Sequence, residues 1–157
     1  MKNRYSYFLL IVLIIITDQA SKIWISRTIP LFSHRVVIPG FFNLTHIHNR
    51  GAIFGFLSRS SSPLVQYILM GASIVAFFLV LYYFFKTPAQ ERFLHISLSM
   101  ILAGALGNLM DRILRGYVID FLDFYIKKWH WPSFNVADAS VSLGAAILIF
   151  FLLFKRK

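Results

Sequence analysis

Cysteine is absent from this chain, and acidic residues are scarce: six Asp and Glu stand against sixteen Lys and Arg. Without cysteine there is no disulfide, no thiolate metal site, no cysteine nucleophile and no thiol to carry a lipid on the chain itself. Charged residues make up only 14% of the 157 positions, well below the roughly 25% of a soluble domain. What fills the space is apolar, 58% hydrophobic and 17% aromatic. A net charge of +10 raises the question of nucleic acid. The basic residues sit at the ends of long apolar runs rather than on one soluble face, so no nucleic acid partner is expected, and contact with anionic lipid headgroups accounts for the charge.

A membrane-crossing helix needs about 20 mostly apolar residues. Four stretches meet this, at about 5–25, 64–85, 93–114 and 136–154, and predict an all-α membrane protein with residues 1–157 as a single domain. The first begins like a signal peptide, with Lys2 and Arg4 before an apolar run. Apolar character resumes at Ile23-Trp24-Ile25 and no small-residue cleavage site follows, so it reads as a retained helix. The third contains Ala103, Gly104, Ala105 and Gly107, and the fourth Gly144, Ala145 and Ala146, small residues that let helices approach closely in lipid.

Between the first two helices lies an extramembrane segment, about 26–62. Its β-branched and aromatic stretch at 36–45, broken by Pro39-Gly40, predicts a short strand or hairpin. Phe41, Phe42, Phe54 and Phe56 predict that this small β-rich piece lies on the bilayer surface. An aromatic loop is expected at about 116–133, with Trp129 and Trp131 in an interfacial belt. Lys and Arg number seven on the side of the termini and seven on the other. Those on the terminal side crowd into very short segments beside helix ends, which predicts cytoplasmic termini.

Five of the six acids, Asp18, Asp111, Asp120, Asp123 and Asp138, lie in or near the outward halves of the first, third and fourth helices. Charge in mid-membrane costs at least ~2.5–3.5 kcal/mol, so such groups are functional candidates. Asp120 follows the third helix and Asp138 opens the fourth. A loop joins these ends, so the two carboxylates can meet, share a proton and activate water without a metal. Plainer readings exist: Asp138 as the N3 partner of an Asn135 cap, and Asp120 as a loop acid paired with Lys127 or Arg115. Spacing alone does not choose between Asp120 and Asp123. Asp120 sits nearer the helix end, and Asp123 sits in what reads as the mobile part of the loop. Asp18 and Lys22 read as an i,i+4 ion pair facing the bundle interior. Asn49, Asn108 and Asn135 could hold an extended peptide, or cap turns and helices. His46 and His48 would share one strand face, half of a zinc site without a third ligand, so no metal and no other cofactor are expected.

Five ordered motifs make the reading specific: Thr17-Asp18-Gln19-Ala20-Ser21-Lys22, Asn49-Arg50-Gly51-Ala52-Ile53-Phe54-Gly55, Gly107-Asn108-Leu109-Met110-Asp111-Arg112, Val118-Ile119-Asp120-Phe121 and Phe134-Asn135-Val136-Ala137-Asp138. Together they resemble bacterial lipoprotein signal peptidase, signal peptidase II, over nearly the whole chain. The resemblance implies a four-helix aspartic endopeptidase of the inner membrane, its active site towards the outer face, with Asp120 and Asp138 as the catalytic dyad. It places Asp18, Lys22, Asn49, Gly51, Asn108, Arg112 and Asn135 in substrate-binding or supporting roles. The implied substrate is a prolipoprotein whose cysteine already carries diacylglycerol, cut just before that cysteine. Inhibition by globomycin-type cyclic peptides is implied as well. A monomer in contact with membrane lipid is the expected state.

Overall fold

The computed structural model describes residues 2–51 and 63–154. Residues 52–62, which hold Ala52 to Gly55 of the second motif, Phe56 and Arg59, lie outside the described residues, as do Lys155 to Lys157. Four long helices are present: α1 (Lys2–Thr28), α2 (Pro63–Lys86), α3 (Arg92–Arg115) and α4 (Val136–Phe154). Three of them, over Tyr5–Thr28, Arg92–Arg115 and Val136–Phe154, are long and apolar enough to cross a membrane, and α2 contributes a shorter apolar stretch, Met70–Lys86.

Burial of apolar groups gives helices little reason to associate in lipid, so close approach and polar contacts matter more. A Cβ on Gly104 of α3 would stand 2.2 Å from the Ala137 carbonyl oxygen of α4, and one on Gly144 would stand 2.7 Å from the Ser97 carbonyl oxygen. The small residues thus let α3 and α4 pack backbone to backbone. Ser140 adds a hydrogen bond to the Met100 carbonyl at 2.8 Å. At one end of the bundle Tyr7, Phe84, Leu98 and Leu102 pack together; at the other, Ile25 and Ile29 of α1 pack on Ile119 and Phe121.

That second cluster joins the helices to a four-stranded antiparallel sheet in the order β1 (His34–Ile38), β2 (Phe42–Asn49), β3 (Val118–Ile126), β4 (Trp129–His130). The Pro39-Gly40 turn joins β1 to β2, with Gly40 at φ 79°. The expected aromatic loop at 116–133 is corrected here, since most of it is strand. Gly116 ends α3 in the left-handed region (φ 76°) and donates its N–H to the Arg112 carbonyl. The chain then leaves as Val-Ile-Asp-Phe-Leu-Asp-Phe-Tyr-Ile, a β-rich run that finds its backbone partners on β2. The β-rich surface element is therefore not confined to the segment between the first two helices.

Two details of this sheet place side chains at its inner end. The β2–β3 ladder changes register between Leu44 and Ile47, so Ile47 faces Asp120 and Asn49 faces Val118. A bulge of this kind re-aims the residues beyond it. In addition, Phe134 pairs with Leu122, its carbonyl accepting from the N–H groups of Phe121 and Leu122 at 3.0 and 2.8 Å. The chain entering α4 is thereby laid against β3.

Candidate active site

Asp120 and Asp138 come together where β3 meets the first turn of α4, and both are buried. Each carboxylate is held by amides. Asp120 Oδ2 accepts from Asn49 Nδ2 at 2.9 Å, and Oδ1 accepts from Asn135 Nδ2 at 2.7 Å. Asp138 Oδ1 accepts from Asn108 Nδ2 at 2.7 Å. Asn135 and Asp138 also cap α4 reciprocally. The Asn135 side-chain oxygen accepts the Asp138 N–H at 2.9 Å, and the Asp138 carboxylate accepts the Asn135 N–H at 3.3 Å. The capping reading of these two residues therefore holds, and one residue, Asn135, reaches both carboxylates, Asp120 through its side-chain Nδ2 and Asp138 through its backbone N–H. All three asparagines donate to the carboxylates.

Asp120 lies on a strand outside the spanning helices. Burial, and then the neighbouring Asp138 carboxylate, push its pKa up to about 7, against the pull of Asn49 and Asn135 hydrogen bonds. It pairs with neither Lys127 nor Arg115; Arg115 lies against Asp111 instead.

Behind the acids lies a closed ionic cluster. Lys22, wholly buried, sits 2.8 Å from Asp18 and 2.8 Å from Asp111, and donates to Asn108 Oδ1 at 3.0 Å. Asp18 Oδ1 accepts the Ala137 N–H at 2.9 Å, so α1 also fastens the start of α4. Gln19 bridges Asp18, Asp111 and the Gly107 carbonyl. The i,i+4 pair of Asp18 and Lys22 is thus present, within a larger network. Asp111, a candidate among the outward acids, belongs to this network, and Gln19 and Arg115 join it without a site role read from the sequence. The i,i+4 spacing of Asp111 and Arg115 was the available signal.

Arg112 donates to the Gly51 carbonyl at 3.2 Å, and the Gly51 N–H donates to Asn49 Oδ1 at 2.8 Å. This chain of contacts ties the residues after β2 to α3. Asp123 is corrected: it lies within β3 rather than in a mobile loop, is buried, and binds Asn43 Nδ2 at 2.9 Å and His130 Nδ1 at 2.8 Å. Its partners are distinct from those of Asp120, which binds Asn49 and Asn135. His46 and His48 bring their Nε2 atoms to 3.2 Å, and no third acid, His or Cys completes a metal cluster among the described residues.

A cavity of about 330 Å³ runs between α2, α3 and α4. Its walls are apolar, from Ala72, Ala76 and Val80 on one side to Ile101 and Val141 on the other, and its polar end is Asn108, Arg112 and Asp138. An apolar corridor therefore leads to one member of the carboxylate pair.

The model of the signal peptidase (SPase) II family matches residues 10–154. The chain is 41% identical to the lipoprotein signal peptidase of Francisella tularensis subsp. novicida (strain U112), over 100% of this chain and 97% of that one. It is 40% identical to the lipoprotein signal peptidase of Syntrophus aciditrophicus (strain SB), over 92% and 90%. A solved bacterial membrane enzyme, determined by the in meso method at 2.3 Å, superposes with TM-score 0.84 at 32% identity, covering 97% of this chain and 92% of that one. A second, at 1.9 Å, gives 0.82 at 33% identity, covering 96% and 94%. With this match across nearly its whole length, the chain belongs to the signal peptidase (SPase) II family, a family of membrane proteases.

Proposed function

We propose that the protein is an aspartic endopeptidase that removes signal peptides from diacylglyceryl-modified prolipoproteins, cutting before the lipidated cysteine. The observation that carries this reading is the Asp120–Asp138 pair, each carboxylate held by asparagine N–H groups, with Asn135 donating its side-chain N–H to one and its backbone N–H to the other. Two carboxylates this tightly coupled share one proton. The ionised one takes a proton from water as that water attacks the scissile carbonyl. The protonated one hydrogen-bonds the developing oxyanion, and the proton taken from water passes to the leaving amine as the C–N bond breaks, which returns the dyad to a single proton. Burial strengthens these electrostatics, and the amides keep both acids from rotating away.

In this reading α2 is the fourth crossing, both termini are cytoplasmic, and the sheet and the dyad lie at the outer face. The apolar corridor admits the signal helix and acyl chains from the bilayer, and their binding positions the scissile bond. Asn49, Gly51, Asn108, Arg112 and Asn135 fix the acids and the segment after β2; Asp18 and Lys22 fix Asn108 and the start of α4. The test is signal-peptide release by purified protein from a diacylglyceryl-modified prolipoprotein and from its unmodified form. Release from the modified form, much faster than from the unmodified one, is expected. Equal rates would remove the requirement for lipid, and no release from either would remove the function.

A further inference from the structure

A second cavity lies in the sheet, and neither carboxylate lines it. It measures about 420 Å³ and is apolar, lined by Phe41, Phe124, Ile126, Trp129, Trp131 and Phe134. Ile126 and Trp129 pair across the turn from β3 to β4, so Lys127 and Lys128, the two residues between them, stand at its lip. Ile126, Trp129 and Trp131 are 68%, 77% and 53% exposed, an apolar surface that water alone does not favour. Tryptophan at such a position suits the headgroup level of a bilayer.

The turn is charged and unneutralised. Among the described residues neither lysine has an ion pair. The nearest acid in sequence, Asp123, is already bound to Asn43 and His130. Lys127 is also held at φ 57°, in the left-handed region. A residue with a Cβ is strained there, where glycine would not be. The frame beneath is firm: the Tyr125 hydroxyl accepts the Gly40 N–H at 2.9 Å, and its ring stacks on His130.

We propose that this cavity binds an anionic phospholipid, an acyl chain lying in the aromatic cleft and the phosphate resting on Lys127 and Lys128. The aromatic walls suit methylene groups, and two unneutralised ammonium groups at the lip suit a headgroup with net negative charge. A zwitterionic headgroup brings its own cation and gains less. The consequence is positional. β3 carries Asp120 near its start and the lipid site at its end, about 20 Å further along an extended strand. A lipid bound there fixes the depth of that strand in the bilayer. The proposal requires only a membrane location and is independent of the peptidase reading.

The test uses the full chain carrying Trp24→Phe, which leaves Trp129 and Trp131 as the emitting tryptophans. It is reconstituted in phosphatidylcholine vesicles doped with brominated-chain phosphatidylglycerol or, separately, brominated-chain phosphatidylcholine. Each lysine at a membrane surface contributes about fivefold to anionic lipid binding, so the phosphatidylglycerol should quench at roughly 30-fold lower mole fraction. The double variant Lys127→Gly, Lys128→Gln should abolish most of that preference while keeping its unfolding temperature, since glycine suits the left-handed turn. Equal quenching by both lipids, quenching by neither, or a preference unchanged in the double variant would overturn the proposal.

Discussion

The ammonium of Lys22 donates to Oδ1 of Asn108 at 3.0 Å, and this fixes which way the Asn108 amide faces. With its oxygen committed to α1, the amide turns its nitrogen to Asp138 at 2.7 Å. A charge buried on one helix thus sets a hydrogen bond to a candidate catalytic acid on another. Replacing Asn108 with Leu keeps the branched shape and removes the donor. The expected outcome is a fall in kcat of roughly 10²-fold, of the size seen when one positioned donor is lost from a site, with KM nearly unchanged. Steady-state kinetics on a lipid-modified substrate measures both.

Lys22→Met removes the cation from between Asp18 and Asp111, both buried. Losing one partner of a buried ionic group costs about 3–5 kcal/mol. Thermal unfolding in detergent should register the loss, and activity should fall with it. An unchanged unfolding temperature would mean that the cluster contributes little to stability.

Asp120→Asn and Asp138→Asn are each expected to abolish signal-peptide release while leaving a folded, membrane-inserted protein. Asp123→Asn should keep substantial activity, because Asp123 serves Asn43 and His130 within the sheet. Release assays on the three purified variants decide this. An inactive Asp123→Asn beside an active Asp120→Asn would move the chemistry to Asp123.

Activity should decline as pH rises through about 7. The Asp120 carboxyl is raised to that value by burial and by Asp138, so it carries its proton below about 7 and loses it above. If the dyad works with one shared proton, the second ionisation removes the acid, and kcat falls on the alkaline side. A kcat profile that stays flat well above neutrality would contradict this.

Gly104→Ala should be strongly harmful, because the new Cβ would meet the Ala137 carbonyl oxygen at 2.2 Å, one residue from Asp138. Overpacking of this kind costs about 1–3 kcal/mol and shifts the backbone it strikes. Gly71→Ala on α2 meets nothing within 4 Å and serves as the neutral control. Unfolding temperature and turnover of the pair should separate clearly.

The sequence by itself settled what depends on local composition and order: helices from long apolar runs, close packing from Gly104 and Gly144, and the Asp18–Lys22 pair from its i,i+4 spacing. It offered the Asn135 cap as one of two readings, and the structure chose it. The sequence also carried the family, because five motifs stand in a recognisable order. The strand within the aromatic stretch 116–133 is not legible locally, because a strand is stabilised by a partner distant in sequence, and β2 supplies the backbone hydrogen bonds that Val118 to Ile126 cannot make alone. For the same reason only the tertiary structure decided the surroundings of Asp123. Its partners Asn43 and His130 arrive from two other strands. The orientation of Asn108 was likewise beyond local reading, since an amide's two ends are chosen by what lies opposite them, here Lys22 on one helix and Asp138 on another.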